Sequence, residues 1–427
     1  MTPHIQQLIG QAIERFQSGS PKQAEDILLR ILSTQSNNLP ALEILGLIKA
    51  STGEHLEAAK LLKKAIKLNP QNPATQYNLA KALSESKDYA GSLIHHEKAL
   101  QLSPNNPDGW LNYGQTLALL DRHEQALHAF DSALSLNQQY AEAWHNKALA
   151  LSTLKRDEDA LNCYHASVQV NPNNAKAWVD MSACLGMLKR FEDALHCCEQ
   201  ALALEPDYPE AWLNKGSALN ELKLYEQSIE CFNKAIELQS NYADAWLNKG
   251  VALDKLDQKQ EALDCFNRAI NIQSNYVLAW INAGALLHEM RDYHQALRYH
   301  SQAIKLNRKE AQAWANAGAT YFALGENIDA IQYLETANTL DPNNAKKLVD
   351  LGQVLSTMGM NEEALDIYLK AANADPLYEY LNGKIIHIQH IIAKWENYEK
   401  QIISLFDALE ISDNATGPFE LLSITDA

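Results

Sequence analysis

The sequence predicts an all-α protein: a right-handed α-α superhelix of about eleven helix pairs, each 34 residues long, with a C-terminal helical extension. Three observations predict it. Seven of the eight tryptophans, Trp110, Trp144, Trp178, Trp212, Trp246, Trp280 and Trp314, stand 34 residues apart. Cys163, Cys197, Cys231 and Cys265 keep the same step. The prolines from Pro40 to Pro376 gather at the boundaries this step defines, where a helix ends or begins, and none falls in a helix interior. A chain of 427 residues is too long for one compact core, and a period of this length decides in favour of stacked helix pairs.

Starting each unit three residues before its tryptophan gives eleven units: 5–38, 39–72, 73–106, 107–140, 141–174, 175–208, 209–242, 243–276, 277–310, 311–344 and 345–378. The eighth position is small in every unit, and glycine in seven: Gly46, Gly114, Gly216, Gly250, Gly284, Gly318 and Gly352. The twentieth is always Ala or Ser, from Ala24 to Ala364. A mid-helix glycine costs about 1 kcal/mol against alanine, so its recurrence marks a close approach of two helices. Large residues recur at the twenty-fourth position, as Phe130, Tyr164, Phe232, Phe266 and Tyr368, four after the small one and so on the same face of the second helix, toward the first. No unit buries its apolar stripe alone, so stacking is expected to bury each tryptophan in a continuous core. Leu8 and Leu42 replace tryptophan in the first two units, as suits an atypical terminal cap. The pattern resembles the tetratricopeptide repeat.

Charge narrows the function classes. Lys and Arg number 36 against 53 Asp and Glu, a net charge of −17, which repels phosphate backbones and anionic membrane surfaces. No nucleic-acid or membrane partner is expected. Met1 to Ser20 have no basic start followed by an apolar run, and the reading is a cytoplasmic protein. The phased cysteines read as small buried-face side chains, and adjacent Cys197 and Cys198 point about 100° apart on a helix, so no metal is expected. His387 and His390 lack a third ligand nearby and read as buried or capping residues. No acid, base or nucleophile constellation converges, so the chain is read as doing no chemistry of its own, without cofactor.

The sixth position of the first helix carries the candidate site. Asn78, Asn112, Asn146, Asn214, Asn248, Asn282 and Asn316 stand there, with Asp180 and Asp350 in phase. A carboxamide offers an acceptor and a donor, which match the backbone of an extended peptide whatever its side chains. The competing reading is that asparagine here settles the packing of its own helix. The two aspartates and the acidic balance predict a preference for basic or Ser/Thr-rich partners. Lys147, Lys215 and Lys249 follow three of these residues and read as stems lying along the surface, not as an anion clamp. A protein-interaction scaffold follows, and a homodimer is compatible with it.

After Tyr378 the register fails. Residues 379–412 are expected to form capping or junction helices, and 413–427 a linker. Trp395, Tyr398 and the run Pro418–Phe419–Glu420–Leu421–Leu422 resemble the junction of O-linked N-acetylglucosamine transferases and their bacterial relatives, where a tetratricopeptide superhelix runs into the glycosyltransferase domain. The chain has Ala393–Lys394–Trp395 where relatives commonly show Cys-Asp-Trp, and stops at Ala427, where the two-lobed nucleotide-sugar domain would begin. The resemblance implies that the asparagine ladder holds an acceptor polypeptide and that the catalytic domain is missing. The alternative is a stand-alone scaffold for multiprotein assembly.

Overall fold

The computed structural model describes residues 3–392 and divides into two compact units, residues 1–218 and 219–427. The first contains α1 (Pro3–Gln17), α2 (Pro21–Thr34), α3 (Leu39–Ser51), α4 (His55–Leu68), α5 (Pro73–Glu85), α6 (Tyr89–Leu102), α7 (Pro107–Leu119), α8 (His123–Leu136), α9 (Ala141–Thr153), α10 (Asp157–Val170), α11 (Ala175–Met187) and α12 (Phe191–Leu204). The helix α13 (Pro209–Glu221) carries the chain from the first unit into the second. There follow α14 (Tyr225–Leu238), α15 (Ala243–Lys255), α16 (Lys259–Ile272), α17 (Val277–Glu289), α18 (Tyr293–Leu306), α19 (Ala311–Ala323), α20 (Asn327–Leu340), α21 (Ala345–Thr357), α22 (Asn361–Ala374) and α23 (Leu381–Ile391). The described residues are all-helical and contain no strand, as the repeat predicts. Trp395, Tyr398 and Pro418–Leu422 lie outside the described residues.

Odd-numbered helices up to α21 are the A helices of their repeats and even-numbered ones the B helices. Consecutive helices pack together within each unit. Successive A helices also touch, α1 to α3, α5, α7 and α9 in turn in the first unit and α15 to α17, α19 and α21 in the second, so each unit has a face lined by A helices.

Local chemistry marks the start of several A helices. Asn38, Asn106, Asn174 and Asn344 accept a hydrogen bond from the backbone N–H three residues on, and Asn72 from the one two residues on. Pro40, Pro73 and Pro107 sit in the first turn, where no N–H is required. At the far end the fifteenth position always turns left-handed: Gly19, Gly53, Gly325 and Gly359 in four repeats, and Lys87, Asp121, Lys155, Lys189, Lys223, Asp257 and Arg291 in the rest. The A–B corner therefore has one geometry whether or not glycine is there to ease it.

The small eighth position is a contact with the twenty-fourth. A Cβ added to Gly114 would lie 2.5 Å from the Phe130 ring, and one added to Gly352 would lie 2.5 Å from that of Tyr368. Phe130, Phe266 and Tyr368 are thus buried against bare A-helix backbone, and Ala126, Ala262 and Ala364 at the twentieth position have no exposure.

The tryptophans correct one expectation. All seven are half-buried instead of enclosed in the core. Each donates its indole N–H to the carbonyl six residues earlier in the turn between repeats, from Trp110 to Pro104 O at 2.8 Å through Trp314 to Arg308 O at 3.0 Å. The ring stays at the edge because its donor must reach that turn. Gln76, which stands in the tryptophan's register position, donates Nε2 to Pro70 O at 2.9 Å and so makes the same bond without the ring.

Candidate functional site

The nine sixth-position residues all lie half-buried on A helices. Several are anchored to the repeat itself. Asn112 Nδ2 donates to Asp108 O at 2.7 Å and to the Tyr77 hydroxyl at 2.9 Å, and Asn146 Nδ2 donates to Glu142 O at 2.8 Å. In both, the amide donor turns back along the helix, and among the described residues no hydrogen bond engages the amide oxygen. Asn214 Nδ2 reaches Val179 O at 3.2 Å and Ser182 Oγ at 3.0 Å on the preceding A helix. In the second unit Asn316 Oδ1 accepts from Gln312 Nε2 at 2.6 Å, and the main-chain carbonyl of Asn248, not its side chain, accepts from Asn220 Nδ2 at 3.4 Å. Asn78 lines a cavity of about 290 Å³ together with Leu47, Tyr77 and Lys81. Asn282 is on α17. Asn112 and Asn146 thus have the donor end of the amide tied to their own helix, while Asn316 is tied by its oxygen.

The aspartates are not free side chains on an open surface. Asp180 Oδ2 lies 2.7 Å from Nε2 of buried His145 on the preceding A helix. Burial pushes the Asp350 carboxyl above the usual carboxylate range. The three lysines lie along the rings of their own helices. Lys147, Lys215 and Lys249 lie over the Trp144, Trp212 and Trp246 rings at 5.5, 5.8 and 5.4 Å, and Lys147 Nζ also pairs with Asp131 at 2.6 Å.

The first unit has a larger cavity on the same face, about 410 Å³, between α5, α7 and α9. Asn112 and Asn146 line it, with Leu119 and Leu149 as exposed apolar residues on its wall. Buried His96 of α6 also lines it, at the register position where other repeats have Phe or Tyr. Its ring sits edge-on to Tyr77 and Tyr113, at centroid separations of 5.9 and 6.5 Å, and neither ring nitrogen has a protein hydrogen-bond partner. Burial, followed by neighbouring His95, lowers its pKa to about 4. His300 occupies the same position in the second unit, is fully buried with both nitrogens also unpartnered, and is lowered to about 4 by burial and then His288.

Sequence reasoning missed these histidines. The signal was their phase with Phe130 and Tyr164. It also missed a tie that closes a repeat on itself: the Tyr140 hydroxyl donates to Asp108 and the Tyr276 hydroxyl to Asp244, in each case from the last position of the repeat to its second. All six cysteines are buried, and burial pushes the Cys197 thiol up to about 12 and that of Cys265 up to about 11. His387 and His390 lie on α23. Among the described residues no three His, Cys, Asp or Glu side chains are placed to hold a metal, and no helix is long and apolar enough to cross a membrane.

Models described as tetratricopeptide repeat match residues 84–151, 141–174, 175–208, 209–242, 243–276, 311–344 and 348–376, and one described as TPR repeat matches 46–87. Together they span well over half of the chain, which belongs to the tetratricopeptide-repeat family. Among solved structures, the "APC/C hetero-tetramer Cut9-Hcn1" aligns over 97% of this chain and 94% of its own, at 15% identity and TM-score 0.51, and shows the same fold. Shorter matches are YrrB, titled "a TPR protein with an unusual peptide-binding site", with 22% identity over 43% of this chain and 95% of its own, TM-score 0.38, and MamA, with 19% identity over 40% and 93%, TM-score 0.37. No curated protein sequence matches the chain.

Proposed function

We propose that the chain is a protein-interaction scaffold that seats an extended segment of a partner along the A-helix face of its units. One observation carries this reading: Asn112 and Asn146 have their amide donors fixed to their own helix, which orients the amide oxygens as ready-made acceptors for a peptide N–H. A fixed carboxamide loses little side-chain freedom when a ligand arrives, so each bond contributes more of its strength to binding. The repeat architecture calls for no catalytic group of its own.

Fluorescence anisotropy with labelled Ser/Thr-rich peptides tests this. Asn112→Ala with Asn146→Ala is expected to weaken binding roughly thirtyfold, at about 1 kcal/mol per hydrogen bond. Unchanged affinity in the double variant removes the ladder from the interaction. The acidic balance of the chain favours basic over acidic peptides, and the preference should shrink as salt rises; a salt-independent preference rules out this charge effect.

A narrower reading makes the scaffold the acceptor-recruiting arm of an O-GlcNAc-transferase-like protein. It rests on the resemblance carried by Trp395, Tyr398 and Pro418–Leu422. The intact mass of the native protein from its own cell decides it. A mass that adds a glycosyltransferase domain supports the arm, and a mass equal to that of this chain leaves a stand-alone scaffold.

A further inference from the structure

We propose that the exposed side of α4, with the matching register positions of α2 and α6, is a second docking surface, one that takes an acidic segment of a partner protein with leucine-type side chains among its carboxylates. This surface lies on B helices, is separate from the A-helix face, and does not depend on the reading of that face as a peptide seat.

The chain is acidic, yet its charge is unevenly spread. Residues 5–106, the first three repeats, hold eleven Lys and Arg against nine Asp and Glu, a net of +2 within a total of −17. The excess is concentrated on α4. Lys60, Lys63, Lys64 and Lys67 follow one another at helical steps that place them on one side of that helix, and all four are exposed. The opposite side, with Ala58, Leu61, Leu62 and Ala65, is buried. Like charges one turn apart repel, and an anionic ligand relieves that repulsion. Lys60 pairs with Glu57 at 3.0 Å, while among the described residues Lys63, Lys64 and Lys67 form no ion pair. Of the other carboxylates at this surface, Glu97 accepts from the Tyr113 hydroxyl at 3.1 Å and Asp26 is exposed on α2.

The register extends the surface to the neighbouring B helices. Lys64 stands at the twenty-sixth position of its repeat, where α2 has Arg30 and α6 has Lys98; the next three repeats have Ser132, Ala166 and Gln200 there. A row of cations thus crosses three consecutive B helices and stops. Large apolar side chains stand among them. Leu56, one turn before Lys60 on the same side of α4, is 70% exposed. Ile94 of α6, in register with Lys60, is 65% exposed, and Leu29 of α2, in register with Lys63, is 47%. A partner with apolar side chains of its own removes this surface from water, which a purely polar anion does not.

Charge also selects among anionic partners. A bilayer or a nucleic-acid duplex is an extended anion, which repels a molecule of charge −17 as a whole. A short acidic segment lies within a Debye length, about 8 Å, of the lysines, and the carboxylates farther away are screened from it.

The test uses the full chain and fluorescence anisotropy at low salt. The probes are a labelled helical peptide with Glu along one side and Leu beside it, the same peptide with Gln for Glu, phosphatidylserine vesicles and duplex DNA. The Glu peptide is expected to bind, less tightly as salt rises, and the Gln peptide roughly tenfold less tightly than the Glu peptide. Lys63→Glu with Lys64→Glu and Lys67→Glu should weaken the Glu peptide roughly thirtyfold. Lys234→Glu with Arg268→Glu and Lys305→Glu changes the net charge equally at exposed B-helix positions of the second unit and should leave binding unchanged. Asn112→Ala with Asn146→Ala should also leave it unchanged, which separates this surface from the A-helix face. Leu56→Ser should weaken it roughly threefold. Circular dichroism confirms folding of each variant. Failure of the Glu peptide to bind, equal losses in the two triple variants, loss of binding in the asparagine variant, or tighter binding of the vesicles or the DNA than of the peptide overturns the proposal.

Discussion

His96 and His300 stand at the same register position of two repeats, one in each unit, with the same buried and unpartnered imidazole, yet their surroundings differ. His300 is seated on Gly284: a Cβ added there would lie 2.5 Å from its Cε1. His96 faces a helix that carries Ala80 at the matching position, is wedged by Tyr77 and Tyr113, and borders a cavity. The comparison teaches that the eighth and twenty-fourth positions act as a pair. The first sets what the second packs against on helix A: bare backbone at Gly284 and a methyl group at Ala80.

The largest test of this pairing is acid. Unfolded, both histidines protonate near the ordinary value of 6.5, but folded they do so only near 4. Between these values the unfolded chain binds more protons, so stability is complete above pH 6.5 and is lost as pH falls toward 4. The loss is about 3 kcal/mol for each histidine. Melting curves from pH 7 to 4 should fall less steeply for His96→Phe with His300→Phe than for the unchanged chain, and parallel curves would dismiss the effect. Next comes Gly284→Ala, which imposes the Ala80 arrangement on the second unit and should cost about 2 kcal/mol in urea unfolding by crowding His300; an unchanged midpoint would show that the ring is free to retreat.

Smaller effects sharpen the same contrast. Trp144→Phe removes the donor to Gln138 O and Gln76→Leu removes the matching one to Pro70 O. Each should cost about 1 kcal/mol; a far smaller cost at Gln76 would show that the indole ring, not its N–H, ties the turn. Lys147→Met should cost less than 1 kcal/mol, since both the Trp144 face and the Asp131 pair are partly exposed.

The helices were legible because the 34-residue period carries the helix ends from repeats that mark them, with first-turn prolines or asparagine caps as in α3, α5 and α7, to repeats such as α9 and α15 that do not. The candidate site was legible only in part. The sequence places Asn112 and Asn146 on the A-helix face, but it does not say that their donors return to the carbonyls of Asp108 and Glu142. Asp180 counted as a free charge until His145, 35 residues earlier, came within 2.7 Å. Pairings of this kind depend on the rotation between successive A helices, which no single repeat encodes. His96 was hidden because a polar residue type stood at a core position, where phase, not polarity, is the informative sign.

The indole-to-turn bonds make the tryptophans optical reporters. Every repeat from the fourth to the tenth has its own chromophore at its junction with the repeat before it, held by one hydrogen bond and half in water. Loosening of a junction frees that indole and shifts its emission to the red. Variants keeping one tryptophan each, with phenylalanine elsewhere, would therefore read the order in which the repeats part along the chain.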